Sequence, residues 1–214
     1  MEKVRVIEAL DKNGNPCEYL DQIKNFKLED LDNTFLNKVT TGSGFTSMIL
    51  SGHLKYVICV PFKNLVFNKV KWCEENGINV LAVYGERDGG ASDQQIKTFD
   101  CDKILVTWNS LSRLVNALGG EVDNYRLAID ESHKIIDAGA FRTDAIQDVI
   151  DCYKSFKAVV LGTATPIDDK YMHDEFKNLK KVTIKWCNLE PVSVKYSRYL
   201  PRQINQVGSI IGLK

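Results

Sequence analysis

Six short runs constrain this chain more than any other feature. Phe35–Val39, Lys55–Val60, Asn79–Val83, Lys103–Thr107, Arg126–Ile129 and Lys157–Leu161 are each apolar at almost every successive position and rich in β-branched residues. A strand with one face in water alternates apolar with polar, whereas a strand covered on both faces does not. Between these runs lie helix-like stretches at Lys63–Asn76, Ser92–Phe99, Ser110–Leu118 and Thr143–Tyr153. The first of them gathers Leu65, Val66, Lys69, Val70 and Cys73 near one stripe and stops at Asn76-Gly77, a suitable C-terminal cap. Strands and helices alternating in this way predict an α/β fold, a mostly parallel sheet with helices on both faces. Val4–Leu10 runs into the turn-forming Asp11-Lys12-Asn13-Gly14-Asn15, which predicts a small antiparallel N-terminal β appendage. Lys181–Trp186 and Val192–Tyr196 are expected as two further strands. The expected organisation is an appendage over 1–30, a core lobe over 31–190 and a C-terminal extension over 191–214.

Composition narrows the class of function. With 28 basic and 28 acidic side chains the formal charge is zero, so any contact with nucleic acid must come from a local patch rather than a bulk field. The longest apolar run, about Tyr56–Phe62 between Lys55 and Lys63, is far short of the roughly 20 residues that span a bilayer. Met1-Glu2-Lys3-Val4-Arg5 has no hydrophobic signal core. The six cysteines are scattered and the three histidines do not join them at metal-ligand spacing, so reduced thiols and no zinc site are expected. A soluble cytoplasmic protein is the expectation.

In a parallel sheet the chemistry gathers just beyond the carboxyl ends of the strands. After the first core strand comes Thr40-Thr41-Gly42-Ser43-Gly44-Phe45-Thr46-Ser47, small and hydroxyl-bearing residues of the kind that let a backbone approach a phosphate closely. After Arg126–Ile129 come Asp130-Glu131-Ser132-His133. Two carboxylates delivered by a buried strand suit a metal or a catalytic water, or else an acidic loop. The strand ending at Leu161 leads into Gly162-Thr163-Ala164-Thr165-Pro166, again small and hydroxyl-rich.

The joint order of these three segments resembles superfamily 2 helicases, specifically the first RecA-like lobe of a DExH-type helicase or translocase. The resemblance covers roughly residues 35–186. It implies a P-loop NTPase lobe that binds ATP with Mg²⁺, contacts single- or double-stranded nucleic acid, and works with a second RecA-like lobe in cis or in trans. Thr41, Gly42, Ser43, Gly44, Phe45, Thr46 and Ser47 would form the nucleotide loop. Thr46 and Asp130 would hold Mg²⁺, Glu131 would polarise the attacking water, and His133, Thr163 and Thr165 would couple nucleotide state to lobe movement. Lys63, Asn64, Thr107, Asn109, Ser110 and Arg113 would meet the sugar-phosphate backbone.

The chain departs from that pattern at one decisive position. A P-loop ends in Gly-Lys-Thr or Gly-Lys-Ser, and here the lysine position is Phe45. The first loop position, usually Gly or Ala, is Val39, and in the next motif the usual Thr is Phe62. Three readings stay open: an ATPase in which Lys38, Lys55 or the second lobe supplies the charge, a nucleotide-dead binding module that keeps the fold, and an unrelated small-molecule kinase. If the loop is otherwise competent, Phe45→Lys is expected to tighten Mg-ATP binding by about 1–3 kcal/mol.

Overall fold

The computed structural model describes residues 4–137, 143–165 and 167–189. Its centre is an eight-stranded sheet: β1 (Arg5–Glu8), β2 (Thr34–Asn37), β3 (Tyr56–Val60), β4 (Leu81–Val83), β5 (Lys103–Thr107), β6 (Arg126–Ile129), β7 (Ala158–Thr163) and β8 (Lys180–Lys185). The spatial order is β1-β8-β2-β7-β6-β3-β5-β4, and every neighbouring pair is parallel. Parallel neighbours require crossovers, and the helices supply them. They are α1 (Phe45–Ser51), α2 (Lys63–Glu75), α3 (Asp93–Thr98), α4 (Leu111–Leu118), α5 (Lys134–Asp137) and α6 (Thr143–Cys152).

The near-continuous apolar runs now have their reason. Along β3, Val57 and Cys59 enter one core while Tyr56, Ile58 and Val60 enter the other, so every side chain of the strand is buried. The first core is closed by α3, α4 and α6 through Ile96, Leu111, Leu114 and Val149. The second is closed by α1 and α2 through Phe45, Ile49, Leu50, Val66 and Cys73. Helices cover both faces, as the pattern predicts.

One element differs from expectation. The N-terminal strand is not part of an antiparallel appendage: β1 is the outer strand of the main sheet, parallel to β8 with Arg5 opposite Val182. Among the described residues the antiparallel pairing is confined to a single bridge between Leu10 and Pro16. Periodicity identifies a strand but not its partner, and β1 finds one only when β8, far along the chain, arrives beside it. The predicted strand Val192–Tyr196 lies outside the described residues. Among the described residues no helix is long and apolar enough to cross a membrane.

Candidate nucleotide and nucleic-acid site

β2, β7 and β6 are neighbours, so their carboxyl ends bring the three chemical segments together. The glycine loop leaves β2, with Gly42 and Gly44 at φ 70° and 78°, a region glycine enters without steric cost. Val39 at the loop's root and Glu131 after β6 take φ 67° and 56°, which is strained for side chains of their kind. The backbone beside them is pinned: Lys38 N donates to Thr163 O at 2.7 Å, Ser132 N donates to Gly162 O at 3.0 Å, and Trp186 Nε1 donates to Lys38 O at 2.7 Å.

Asp130 is the focus of the charges. Its Oδ1 accepts from Lys38 Nζ at 2.7 Å and from Glu131 N at 3.0 Å, and its Oδ2 accepts from Thr46 Oγ1 at 2.7 Å. Lys69 Nζ, reaching in from α2, lies 3.9 Å from Oδ2. Burial opposes the charge on Asp130, but Lys38, then Lys69 and the Thr46 hydroxyl, outweigh it and hold the carboxyl below the usual carboxylate range. Glu131 Oε1 is 3.7 Å from Lys38 Nζ, and Glu131 Oε2 is 3.4 Å from His133 Nδ1.

Phe45 does not present its ring to this cluster as a loop lysine would. It is 2 % exposed and packs into the core formed with α1 and α2. It lies so close to β7 that a Cβ on Gly162 would come within 2.6 Å of the ring. The Lys38 ammonium rides 5.2 Å from the ring centroid. The expectation that Phe45→Lys restores a phosphate contact is therefore corrected, because position 45 points into apolar packing where an ammonium is costly. Lys55, the other candidate replacement charge, is excluded as well. It sits at the opposite end of β3, 3.8 Å from Asp102 and 5.5 Å from the Tyr125 ring centroid.

A cavity of about 510 Å³ opens on the cluster. Gly42 through Ser47, Lys38, Asp130 and Glu131 line it together with Tyr19, Asp21, Leu65, Lys69 and Trp72. Thr41 is exposed and does not line it. The Ser43 hydroxyl in the wall is buried with no hydrogen-bond partner among the described residues. Leu65, Lys69 and Trp72 were not expected here. Their spacing puts them on one helical face, and a lysine within an otherwise apolar stripe was the available signal. Nothing local distinguishes Trp186, whose role at the loop root depends on where β8 lands.

His133, Thr163 and Thr165 come together at the ends of β6 and β7. His133 Nδ1 is 3.1 Å from Thr163 Oγ1, which donates to Thr165 O at 2.9 Å and accepts from Thr165 N at 3.0 Å. A hydroxyl has one hydrogen, so with Thr165 O receiving it, the proton on the histidine side belongs to Nδ1.

A second cavity, about 540 Å³, opens beyond the ends of β3 and β5 and is lined by Phe62, Lys63, Asn64, Thr107, Asn109 and Ser110 among others. Lys63 is paired there with Asp88 at 2.7 Å, and the buried Thr107 and Ser110 hydroxyls face each other at 3.2 Å. Arg113 is not brought to this groove. Its guanidinium donates to Tyr84 O, Ala91 O and Asp93, bracing the chain between β4 and α3.

A parallel sheet with a glycine loop, an Asp-Glu strand end and a Gly-Thr strand end side by side is a RecA-like α/β fold. The structure of a hypothetical ATP-dependent RNA helicase from Sulfolobus tokodaii matches it with a TM-score of 0.56 at 22% identity, over 80% of this chain and 54% of that one. The Hef helicase domain of Pyrococcus furiosus matches with a TM-score of 0.52 at 17% identity, over 74% of this chain and 36% of that one. The chain thus spans about half or less of the length of these structures. No protein-family model matches the sequence, and no curated protein matches it.

Proposed function

We propose that this chain is the first motor lobe of an ATP-dependent nucleic-acid helicase or translocase of the DExH type, in which Lys38 replaces the absent loop lysine. The observation that carries the reading is the convergence on Asp130 of Thr46 Oγ1 and Lys38 Nζ, each at 2.7 Å. A hydroxyl at the end of a glycine loop and a carboxylate at a neighbouring strand end are the two protein ligands a nucleotide-bound Mg²⁺ uses in P-loop enzymes. The residues present fit that group: the orphaned Ser43 hydroxyl in the cavity wall needs an acceptor or donor from a ligand, and the cation that should flank the phosphates is there, delivered from the loop's root.

Thr46 and Asp130 would hold the metal, which when bound neutralises phosphate charge and favours departure of the terminal phosphoryl group. Lys38 has two tasks. Without ligand it keeps the buried Asp130 ionised, and with nucleotide its flexible stem lets the ammonium turn to the phosphate oxygens. Glu131 would orient the attacking water, and the His133–Thr163–Thr165 chain would carry the change towards the second lobe. The groove containing Lys63, Asn64, Thr107, Asn109 and Ser110 would hold a strand by its backbone, which positions without reading sequence.

A second reading has its own observation. Phe45 is buried and fills the lysine position with core, as a nucleotide-dead module binding nucleic acid or protein would allow. Calorimetry of Mg-ATP with the full chain separates the two. Binding by the wild type, weakened about 10- to 100-fold in Lys38→Met, is expected for a hydrogen bond to a charged group. A folded wild type that takes up no heat from Mg-ATP would leave the dead module as the better account.

A further inference from the structure

Lys69 is the one member of the Asp130 cluster that neither the loop nor the strand ends supply. It comes from α2, which lines the cavity with a stripe of Leu65, Lys69 and Trp72. Its side chain is only 23 % exposed, yet at 3.9 Å from Asp130 Oδ2 the ammonium is beyond hydrogen-bond distance. No hydrogen bond to Lys69 Nζ is found among the described residues, so beside its ion pair with Asp130 its donors are available at the cavity. Lys38, Thr46 and the Glu131 amide already hydrogen-bond both carboxylate oxygens of Asp130, so Lys69 meets it by charge alone.

We propose that Lys69 is a phosphate-binding residue: together with Lys38 it forms a two-ammonium clamp, one arm from β2 and one from α2, that takes the polyphosphate of a nucleoside di- or triphosphate. The inference rests on the nucleotide reading above and goes beyond it by dividing the work of one loop lysine between two elements that meet at Asp130. The division follows from the geometry. Phe45 directs position 45 into the core, and among the described residues the lysines lining the cavity are Lys38, from the end of β2, and Lys69, from α2. The phosphates would then lie within reach of Ser43 and both ammoniums.

The test is calorimetry on the full chain with Mg-ATP, Mg-ADP and adenosine, for the wild type, Lys69→Met and Lys69→Arg. Thermal unfolding of each protein without ligand runs alongside. Lys69→Met should weaken Mg-ATP and Mg-ADP about 10- to 100-fold and leave adenosine within about twofold. Lys69→Arg keeps the charge and should recover most of the loss. Wild-type binding that Lys69→Met leaves unchanged would overturn the clamp while leaving the ATPase reading intact. A uniform loss for all three ligands with a lowered melting temperature would make Lys69 a structural partner of Asp130 and also overturn the clamp. A wild type that binds none of the three would overturn both readings.

Discussion

Phe45 and Lys38 show how much a residue's meaning depends on where its side chain goes. Phe45 stands at the lysine position of a P-loop, but its ring is in the core and the ammonium beside it belongs to Lys38. Phe45→Lys would bury a second ammonium next to the first and lose the ring's packing. We expect it to cost about 2–4 kcal/mol in chemical denaturation and to weaken Mg-ATP binding, not tighten it. Equal stability with tighter binding would show that position 45 can turn outward. Asp130 makes a prediction about pH. Its folded-state pKa is depressed by Lys38, Lys69 and Thr46, so its ionised form stabilises the fold above the unfolded value near 3.9, and that contribution is lost as pH falls through the lower folded value. Asp130→Asn should therefore cost about 3 kcal/mol at pH 7, where Lys38 is left buried and poorly compensated, and much less near pH 2. Urea unfolding at the two pH values measures the difference, and a penalty that does not change with pH would contradict it.

At the scale of elements, β7 lies between the strand that carries the loop and the strand that carries Asp130, and it must let both close over it. Gly162 makes this possible, because the Phe45 ring occupies the space a Cβ would take. We expect Gly162→Ala to cost about 1–3 kcal/mol through overpacking, and the cost to shrink sharply in a Phe45→Ala background where the ring is gone. A double-mutant cycle by denaturation reads the coupling; additive losses would mean that the two do not meet. α2 makes a different point. Val66 and Cys73 are buried against the sheet, while Leu65, Lys69 and Trp72 face the cavity, so one helix both seals a core and forms a wall of the site. Arg113 on α4 shows the converse, a cation of the right type for phosphate that is spent on carbonyls and acids nearby.

For the whole molecule, most of the architecture was legible because burial on both faces of a strand leaves a local mark. The runs at β3, β5 and β6 match their strands to within a residue, and α2, α3 and α4 begin and end within a residue of the predicted helical stretches. The clustering of the glycine loop, Asp130 and Thr163 was also legible, since strand ends of a parallel sheet share one edge. Side-chain direction was not. That Phe45 turns inward, that Lys38 rather than Lys55 reaches Asp130, and that Arg113 is braced away from the groove all depend on which strand lies next to which. The same is true of β1, a strand by its pattern and a sheet edge only because β8 is beside it. Sequence alone determined the alternation of elements and the chemistry available at the strand ends, because both are written in short-range pattern and residue type. Only the tertiary structure decided which cations face the carboxylate, because charges separated by long stretches of chain meet through packing, and packing is not a local property.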